Sequence, residues 1–157
     1  MNTDLPNRAL LVLSSYHHRN TEKIAKVIAD ILDAQIVAPE NANFDDLHEA
    51  ELIGFGSGIY GAKHHEAVLD LAQRLPQVTN KRAFIFSTSA IITKSKVAED
   101  HAALRGVLAS KGYMIVDEFS CKGFNTNSFM RFLGGMNKGR PNAEDLANAR
   151  SFATSLI

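Results

Sequence analysis

One feature constrains the fold of this chain more than any other: short, unbroken apolar runs alternate with longer amphipathic segments along the sequence. The first run, Ala9–Leu13, has five apolar residues in succession, which is typical of a strand buried on both faces of a parallel sheet. From Thr21 to Leu32 the apolar residues recur at helical spacing, with charged residues between them. This change of period predicts a strand followed by a helix.

The same pair of signals returns along the rest of the chain. The further strands are predicted at Gln35–Ala38, Leu52–Gly56, Ala83–Phe86 and Tyr113–Cys121. The further helices are predicted at Asp45–Glu49, Ala67–Leu75 and Val97–Leu108, with a last one capped by Asn142. Alternation of this kind predicts right-handed crossovers and an α/β fold with a doubly wound, five-stranded parallel sheet. Five strands in this length favour the order 2-1-3-4-5, in a single domain over residues 1–157.

Composition excludes several classes of protein. Seventeen Lys plus Arg balance seventeen Asp plus Glu, so there is no general electrostatic case for nucleic acid or an anionic membrane as partner. Cys121 is the single cysteine, which excludes a disulfide-stapled scaffold. The first residues do not have the pattern of a signal peptide, and the apolar runs are far shorter than a membrane span. We therefore expect a cytoplasmic protein with no membrane span.

Ligands of such sheets bind beyond the carboxyl ends of the strands, so the segments that follow strands one, three and four are the candidate site. The first, Ser14–Thr21, brings hydroxyl, amide, imidazole and guanidinium groups to the start of a helix. A helix N-terminus attracts anions, which indicates a phosphate site. The same residues also fit a plain cap at Asn20 or Thr21 followed by a solvated loop.

The second and third segments are predicted as loops. Gly56–Lys63 combines three glycines with an aromatic residue, so its backbone can approach a flat ligand, and Tyr60 can stack on a ring or pack on the neighbouring helix. Ser87–Ala90 is short and polar, and fits either a heterocycle edge or a solvated turn. The dinucleotide and Walker motifs are absent, and the third strand ends without the carboxylate of a receiver domain.

Together the three segments resemble those of the flavodoxin family, over essentially the whole chain. Flavodoxins open the first helix with Ser/Thr-x-Thr-Gly-Asn-Thr, or with Ser-x-His-His-Gly-Asn-Thr, which Ser15–Thr21 follows except that Arg19 replaces the glycine. Leu52–Gly61 resembles the third strand and first flavin loop. Phe84–Ser89 resembles the fourth strand and second flavin loop, where a glycine commonly stands at Ala90. The resemblance implies the flavodoxin-like fold, bound FMN and electron transfer.

The resemblance also implies a role for each residue of the three segments. The FMN phosphate would be held by Ser15, His17, His18, Asn20 and Thr21, with Arg19 either pairing with it or obstructing it. The isoalloxazine ring would be bordered by Gly58, Ile59, Tyr60 and Gly61, and its pyrimidine side by Thr88, Ser89 and Ala90. We expect that removing the Arg19 side chain weakens FMN binding.

Histidine pairs follow strands one and three. The side chains of His17-His18 and of His64-His65 point in different directions, and no cysteine or carboxylate stands beside them at ligand spacing, so we predict no metal site. His64 and His65 are predicted to open a helix and face solvent, although either residue could approach the flavin edge. Cys121 has no dedicated base, so we predict a buried apolar residue instead of a nucleophile and assign no catalytic residue.

Three functions stay open at this point, and with them the question of whether the chain is an enzyme. The first is an FMN-binding electron carrier or small flavin-dependent reductase. The second is a flavin-dependent oxidoreductase of the quinone-coupled or protoporphyrinogen-oxidase type. The third is a domain without FMN that serves as a binding or scaffold protein.

A partner surface is predicted in Lys122–Asn142, which the alternation of strands and helices does not explain. This stretch has four cations, several phenylalanines and neither Asp nor Glu. Because it begins at the end of strand five, it lies on the same edge as the flavin segments. Its cations are predicted to attract an anionic redox protein or the phosphates of NAD(P)H. Flavodoxins are typically acidic, so the neutral charge of this chain argues against their usual docking partners.

Overall fold

The computed structural model describes residues 8–15, 19–123 and 137–157. Within these ranges the strands are β1 (Ala9–Ser14), β2 (Gln35–Val37), β3 (Leu52–Tyr60), β4 (Lys63–His64), β5 (Lys81–Ser89) and β6 (Tyr113–Lys122). The helices are α1 (Asn20–Leu32), α2 (Phe44–Glu49), α3 (Glu66–Arg74), α4 (Lys94–Ser110) and α5 (Ala143–Ser155), with a 3-10 turn at Pro39–Asn41. Most of the predicted Lys122–Asn142 surface, residues 124–136, lies outside the described residues.

The sheet has the predicted topology. Its order is β2-β1-β3-β5-β6, and all neighbouring pairs on this path are parallel. This is the order 2-1-3-4-5 once β4 is set aside, so the predicted fold class is confirmed. The strand that the sequence did not predict, β4, has two residues and pairs antiparallel with the end of β3.

The apolar runs are unbroken because both faces of the sheet are covered. Val12 and Ile85 pack under α3 and α4 on one face, while the adjacent Leu11 and Phe86 pack under α1 and α5 on the other. Successive residues of a strand point to opposite faces, so every position of a central strand becomes apolar.

Glycines in β3 make room for phenylalanines in β5. A Cβ atom on Gly54 would lie 2.3 Å from the ring of Phe84, and one on Gly56 would lie 2.2 Å from the ring of Phe86. The alternating glycines therefore serve the packing between two neighbouring strands.

Two predicted loops are wrong in their extent. β3 continues to Tyr60 and β5 to Ser89, so most of Gly56–Lys63 and of Ser87–Ala90 is strand. The prediction failed because the apolar pattern stops at Gly56 and Phe86, whereas the backbone ladder continues through small polar residues. A two-residue turn of Gly61 (φ 57°) and Ala62 (φ 61°) then joins β3 to β4, as in tight hairpins with positive φ at both turn positions.

The helix caps separate a confirmed prediction from a wrong one. Asn142 caps α5, as predicted: its side chain accepts a hydrogen bond from the N–H of Asp145, whose carboxylate accepts one from the N–H of Asn142. Asn20 and Thr21 do not cap α1, because the cap residue is Arg19, in the left-handed conformation. Among the described residues, none of the helices is long and apolar enough to cross a membrane.

Candidate functional site

Four serines stand side by side across the sheet, directly below its carboxyl edge. Ser14 of β1 pairs in register with Ser57 of β3, Ser57 with Ser87 of β5, and Ser87 with Ser120 of β6. We call these residues the serine row. In each of the three segments the first residue assigned to the cofactor, Ser15, Gly58 or Thr88, stands one position after a member of this row. The three segments therefore leave neighbouring strands at the same level.

The first segment meets the third through a buried hydrogen bond. Thr21, at the start of α1, places its Oγ1 atom 2.8 Å from Oγ1 of Thr88 at the end of β5. The Ser15 hydroxyl accepts a hydrogen bond of 3.3 Å from the backbone N–H of Glu22. Asn20 is buried beside Thr21, whereas His17 and His18 lie outside the described residues. Hydroxyl groups thus gather around the first turn of a 13-residue helix, where anions bind.

Arg19, which stands where the family pattern has glycine, adopts a left-handed backbone conformation. Its φ is 52° and its ψ is 37°, a conformation that costs a side chain about 1–2 kcal/mol. The guanidinium is directed along α1, with Nε 3.5 Å from Oε2 of Glu22, and the side chain is 78% exposed. The turn therefore has a conformation that glycine adopts readily, although its residue carries a long side chain.

The second segment is the β3–β4 hairpin, held by Ser57 and His65. The Ser57 hydroxyl donates to the carbonyl of Gly58 (2.6 Å) and accepts from the N–H of His65 (2.9 Å). His65 caps α3 by accepting from the N–H of Ala67, and its Nδ1 lies 3.3 Å from Oγ of Ser14. The ring of Tyr60 packs edge-on against the ring of His65, with centroids 5.3 Å apart. Tyr60 therefore packs at the start of the neighbouring helix, one of its two predicted roles.

His64 contradicts the prediction that it faces solvent. It is 1% exposed, its Nε2 lies 3.1 Å from the carbonyl oxygen of Phe86, and its ring centroid is 4.9 Å from that of His101. Burial, followed by the charge of His101, lowers the pKa of His64 to about 3, against the carbonyls of Phe86 and Asp100. The prediction failed because His64 belongs to β4, where alternation turns it inward and leaves Lys63 exposed.

The third segment is tied to the end of β6 by an asparagine that the sequence reasoning missed. The Asn137 side-chain amide donates to the carbonyl of Ala90 (2.7 Å) and to that of Gly123 (3.4 Å). The N–H of Gly123 donates to the carbonyl of Ser89. Asn137 has a positive φ of 58°, a conformation that asparagine tolerates in turns. An asparagine close to Gly139 was the available signal.

Cys121 and the histidines offer no metal or nucleophile chemistry in the described part of the chain. Cys121 is buried, as predicted, and burial together with the charge of Asp145 raises the pKa of its thiol to about 12. A thiol of this kind is unreactive at neutral pH. No group of three His, Cys, Asp or Glu residues within the described ranges can hold a metal ion.

The fold and the edge define a class: a doubly wound α/β domain whose polar segments after β1, β3 and β5 meet at one carboxyl edge. The chain belongs to the flavodoxin family, because the family model described as the flavodoxin domain matches residues 11–135. It is also 44% identical over 151 residues to the uncharacterized protein MJ0298 of Methanocaldococcus jannaschii, covering 96% of this chain and 98% of that protein.

Solved structures share the fold at low sequence identity. A flavodoxin from the domain Archaea has a TM-score of 0.67 at 16% identity and covers 95% of both chains. Oxidised Flavodoxin 2 from Bacillus cereus has a TM-score of 0.69 at 16% identity, over 94% of this chain and 96% of that one. Rubredoxin oxygen:oxidoreductase from Desulfovibrio gigas has a TM-score of 0.63 at 16% identity, over 94% of this chain but 34% of that longer one.

Proposed function

We propose that the chain binds FMN at the carboxyl edge of its sheet and acts as a flavodoxin-like electron carrier. The observation that carries this proposal is the hydrogen bond between Thr21 and Thr88. It joins the helix start, where a phosphate binds, to the strand end assigned to the flavin ring. A ligand with a phosphate at one end and a flat ring at the other matches that arrangement.

The described residues fit FMN by the chemistry of their donors. Ser15 supplies a hydroxyl group, and α1 supplies the backbone N–H groups of its first turn. Thr21 and Thr88 are buried and bonded to each other, so in this proposal their hydroxyl groups hold the helix start against the strand end. Glu22 is the acidic residue of that turn, and Arg19 and Lys26 pair with it at 3.5 and 3.2 Å. A phosphate therefore meets donors and a balanced charge. Gly61 faces open space at the tip of the hairpin, which leaves room for a ring beside it.

In this proposal each segment keeps one task. Ser15, Asn20 and Thr21, with His17, His18 and Arg19, hold the phosphate. The hairpin residues Gly58–Gly61 cover the isoalloxazine ring and exclude water, and Thr88–Ala90 hydrogen-bond its pyrimidine side. When bound, FMN supplies one- and two-electron redox chemistry that the side chains lack.

One observation bears on the alternative of a domain without FMN. That alternative drew its support from Arg19 at the glycine position of the phosphate segment. Because Arg19 adopts a left-handed backbone conformation, the N–H groups that follow keep the helix-start arrangement that binds anions. The argument for a lost cofactor site is weakened accordingly.

The partner that we propose is anionic, and it docks beside the third segment. Exposed Lys94 lies four residues beyond Ala90, and exposed Lys138 follows Asn137, which binds the Ala90 carbonyl. Ile91, which follows Ala90, is 52% exposed. The ion pairs found among the described residues include neither lysine. Two exposed lysines and an exposed apolar side chain suit the acidic face of a redox protein; the phosphates of NAD(P)H are the smaller alternative.

The direct test is to mix the purified chain with FMN and record the visible spectrum and the melting temperature. We expect a bound flavin band, and at 100 times the dissociation constant about 2.7 kcal/mol of added stability. Absence of both would overturn the proposal. Oxidation of a hydrophobic tetrapyrrole by the loaded protein with a quinone, without a protein partner, would replace the electron carrier by the oxidoreductase alternative.

A further inference from the structure

Helix α4 places a fully buried histidine beneath the ends of β5 and β6. His101 is 0% exposed, its Nε2 lies 2.7 Å from Oγ of Ser87, and its Nδ1 lies 2.8 Å from Oε1 of Glu118. Ser87 Oγ in turn lies 2.8 Å from Oγ of Ser120. These four residues, which we call the His101 chain, run from the side of the sheet into the serine row.

The outer end of the His101 chain is an ionised carboxylate. Arg105 donates two hydrogen bonds of 2.7 Å to Glu118, from Nε to Oε2 and from a terminal nitrogen to Oε1. Burial alone raises the pKa of Glu118, but the hydrogen bonds and charges of His101 and Arg105 outweigh it and lower the pKa to about 2. At neutral pH Glu118 therefore only accepts hydrogen bonds.

The Glu118 carboxylate fixes the direction of the hydrogen bonds within the His101 chain. Because Glu118 only accepts, the Nδ1 atom of His101 carries a proton, and a neutral ring then accepts at Nε2. The Ser87 hydroxyl must then donate to Nε2, and its oxygen is left to accept from the Ser120 hydroxyl. Both serine hydroxyls are oriented before any ligand arrives.

The order of serine, histidine and acid is that of an acyl-transfer site. The burial of Ser87 excludes this chemistry, because a substrate cannot reach its hydroxyl group. Ser87 is 0% exposed and lies within β5, below the carboxyl edge. A nucleophile must reach the carbonyl that it attacks, and no substrate reaches this hydroxyl. We therefore look for the role of the His101 chain in the residues beside Ser87, and the next residues along the strand are Thr88–Ala90.

We propose that His101 is a positioning residue for the flavin site: the His101 chain fixes Ser87 and thereby preorganises Thr88–Ala90. This inference rests on the proposed function for the ligand that the segment meets. Preorganisation improves affinity because less motion is lost on binding. His64 extends the same unit, since it contacts the His101 ring and bonds to the carbonyl of Phe86, the residue before Ser87. The hairpin of the second segment is thus tied to the strand that carries the third.

The test compares Ser87→Ala with Leu108→Ala. Ser87→Ala removes one hydroxyl from the His101 chain and leaves Nε2 of His101 without its donor. Leu108 lies on the same helix as His101, is 0% exposed in the apolar core, and touches neither hydroxyl of the chain. Both variants lower the melting temperature. At a temperature where both are folded, we expect Ser87→Ala alone to bind FMN about tenfold more weakly.

A conservative pair at position 101 separates positioning from packing. His101→Gln keeps a polar group near the position of Nε2, whereas His101→Leu keeps the volume and loses the hydrogen bond. We expect His101→Gln to retain more FMN affinity than His101→Leu, whichever of the two is the more stable. Equal affinities would show that the ring serves packing alone.

Two readouts on the protein without FMN keep this inference separate from the proposed function. Amide hydrogen exchange at Thr88 and Ser89 should become about tenfold faster in Ser87→Ala relative to exchange at Val12 and Ile53, which report the global loss of stability. Nitrogen NMR of the wild-type ring should show the proton of His101 on Nδ1. Unchanged exchange, or a proton on Nε2, would overturn the inference. If exchange changes as expected but the wild type binds no FMN, the proposed function fails and the positioning of Thr88–Ala90 stands.

Discussion

At the scale of single residues, the candidate site includes residues whose backbone conformation or burial is unusual for their type. Arg19 adopts the left-handed conformation that glycine takes without cost. His64 is buried in a two-residue strand, where its neutral form is required. Each of these residues lowers the stability of the fold while it shapes the carboxyl edge. Substitutions at each position can be tested separately for their effects on stability and on ligand affinity.

Arg19→Gly should raise stability and lower FMN affinity together. Relief of the left-handed strain outweighs the added chain entropy of glycine, so the free energy of unfolding should rise by about 0.5–1 kcal/mol. Loss of the guanidinium should weaken FMN binding, as the sequence predicts. Denaturant unfolding and FMN titration measure the two effects. Asn80→Gly, at another residue with positive φ (50°), is the control that should leave FMN affinity unchanged. Tighter FMN binding by Arg19→Gly would show that the side chain obstructs the phosphate.

His64 should make the protein sensitive to mild acid. Its pKa is lowered from 6.5 to about 3 on folding, so between these values the unfolded chain binds more protons than the folded one. Stability is therefore complete above pH 6.5 and falls as the pH falls, by about 2 kcal/mol between pH 7 and pH 5. The melting temperature across this range measures the effect.

His64→Gln should remove that part of the acid slope, because glutamine does not titrate. The control is His48→Gln, on an exposed position of α2, which should keep the wild-type slope. Glu118 contributes at lower pH, since stability due to its lowered pKa is lost between 4.5 and about 2. A wild-type slope in His64→Gln would contradict the assignment of a buried neutral imidazole.

At the scale of elements, β3 and β5 form one packing unit that carries two of the three segments. The rings of Phe84 and Phe86 in β5 occupy the space that Cβ atoms on Gly54 and Gly56 of β3 would need. The same strands continue into the hairpin and into Thr88–Ala90. A change in this packing is therefore expected to reach the segments that we assign to the flavin ring.

Gly56→Ala should destabilise the protein by about 1–3 kcal/mol, because its Cβ would lie 2.2 Å from the Phe86 ring. Adding Phe86→Leu should recover part of the loss, since the two sites are coupled. Gly106→Ala is the matched control: it lies within α4 with nothing near its Cβ position, and should gain about 0.5–1 kcal/mol. Urea unfolding measures all three variants. Equal stability of Gly56→Ala and the wild type would contradict this packing.

Elements with a strong hydrophobic period could be predicted from the sequence, and their ends could not. Ala9–Leu13 and Thr21–Leu32 differ from the observed β1 and α1 by one residue, because burial on known faces controls the pattern. The ends of β3 and β5 are set by backbone hydrogen bonds between small polar residues. A pattern of apolar side chains does not reveal such hydrogen bonds. Asn137 binds a carbonyl 47 residues away in the chain. The nearby Gly139 is a local signal for a turn, but it does not identify so distant a partner.

At the scale of the whole molecule, a net charge of zero conceals an uneven distribution. Lys94 and Lys138 flank the third segment at the carboxyl edge, whereas Asp46 and Glu49 lie near Arg8 at the opposite edge. Steering depends on the local field beside the site more than on the total charge. A total charge of zero is therefore compatible with the anionic partner that we propose.

Lys94→Glu combined with Lys138→Glu should slow oxidation of the reduced, FMN-loaded protein by ferricyanide, an anionic probe. Reversal of the local charge turns attraction into repulsion, so the rate should rise with added salt where the wild-type rate falls. Stopped-flow mixing at several ionic strengths measures both. Lys111→Glu with Arg150→Glu carries the same total charge away from the third segment and should behave nearly as the wild type. Identical salt responses in the two double variants would remove the docking surface.

The central claim, a phosphate held at the start of α1 beside the end of β5, is tested most directly by comparing FMN with riboflavin, which lacks the phosphate. Quenching of flavin fluorescence on titration gives both dissociation constants. We predict that FMN binds on the order of 100-fold more tightly, and that Thr21→Val reduces this preference while leaving riboflavin affinity nearly unchanged. Equal affinities for the two flavins, or no saturable quenching by FMN, would contradict it.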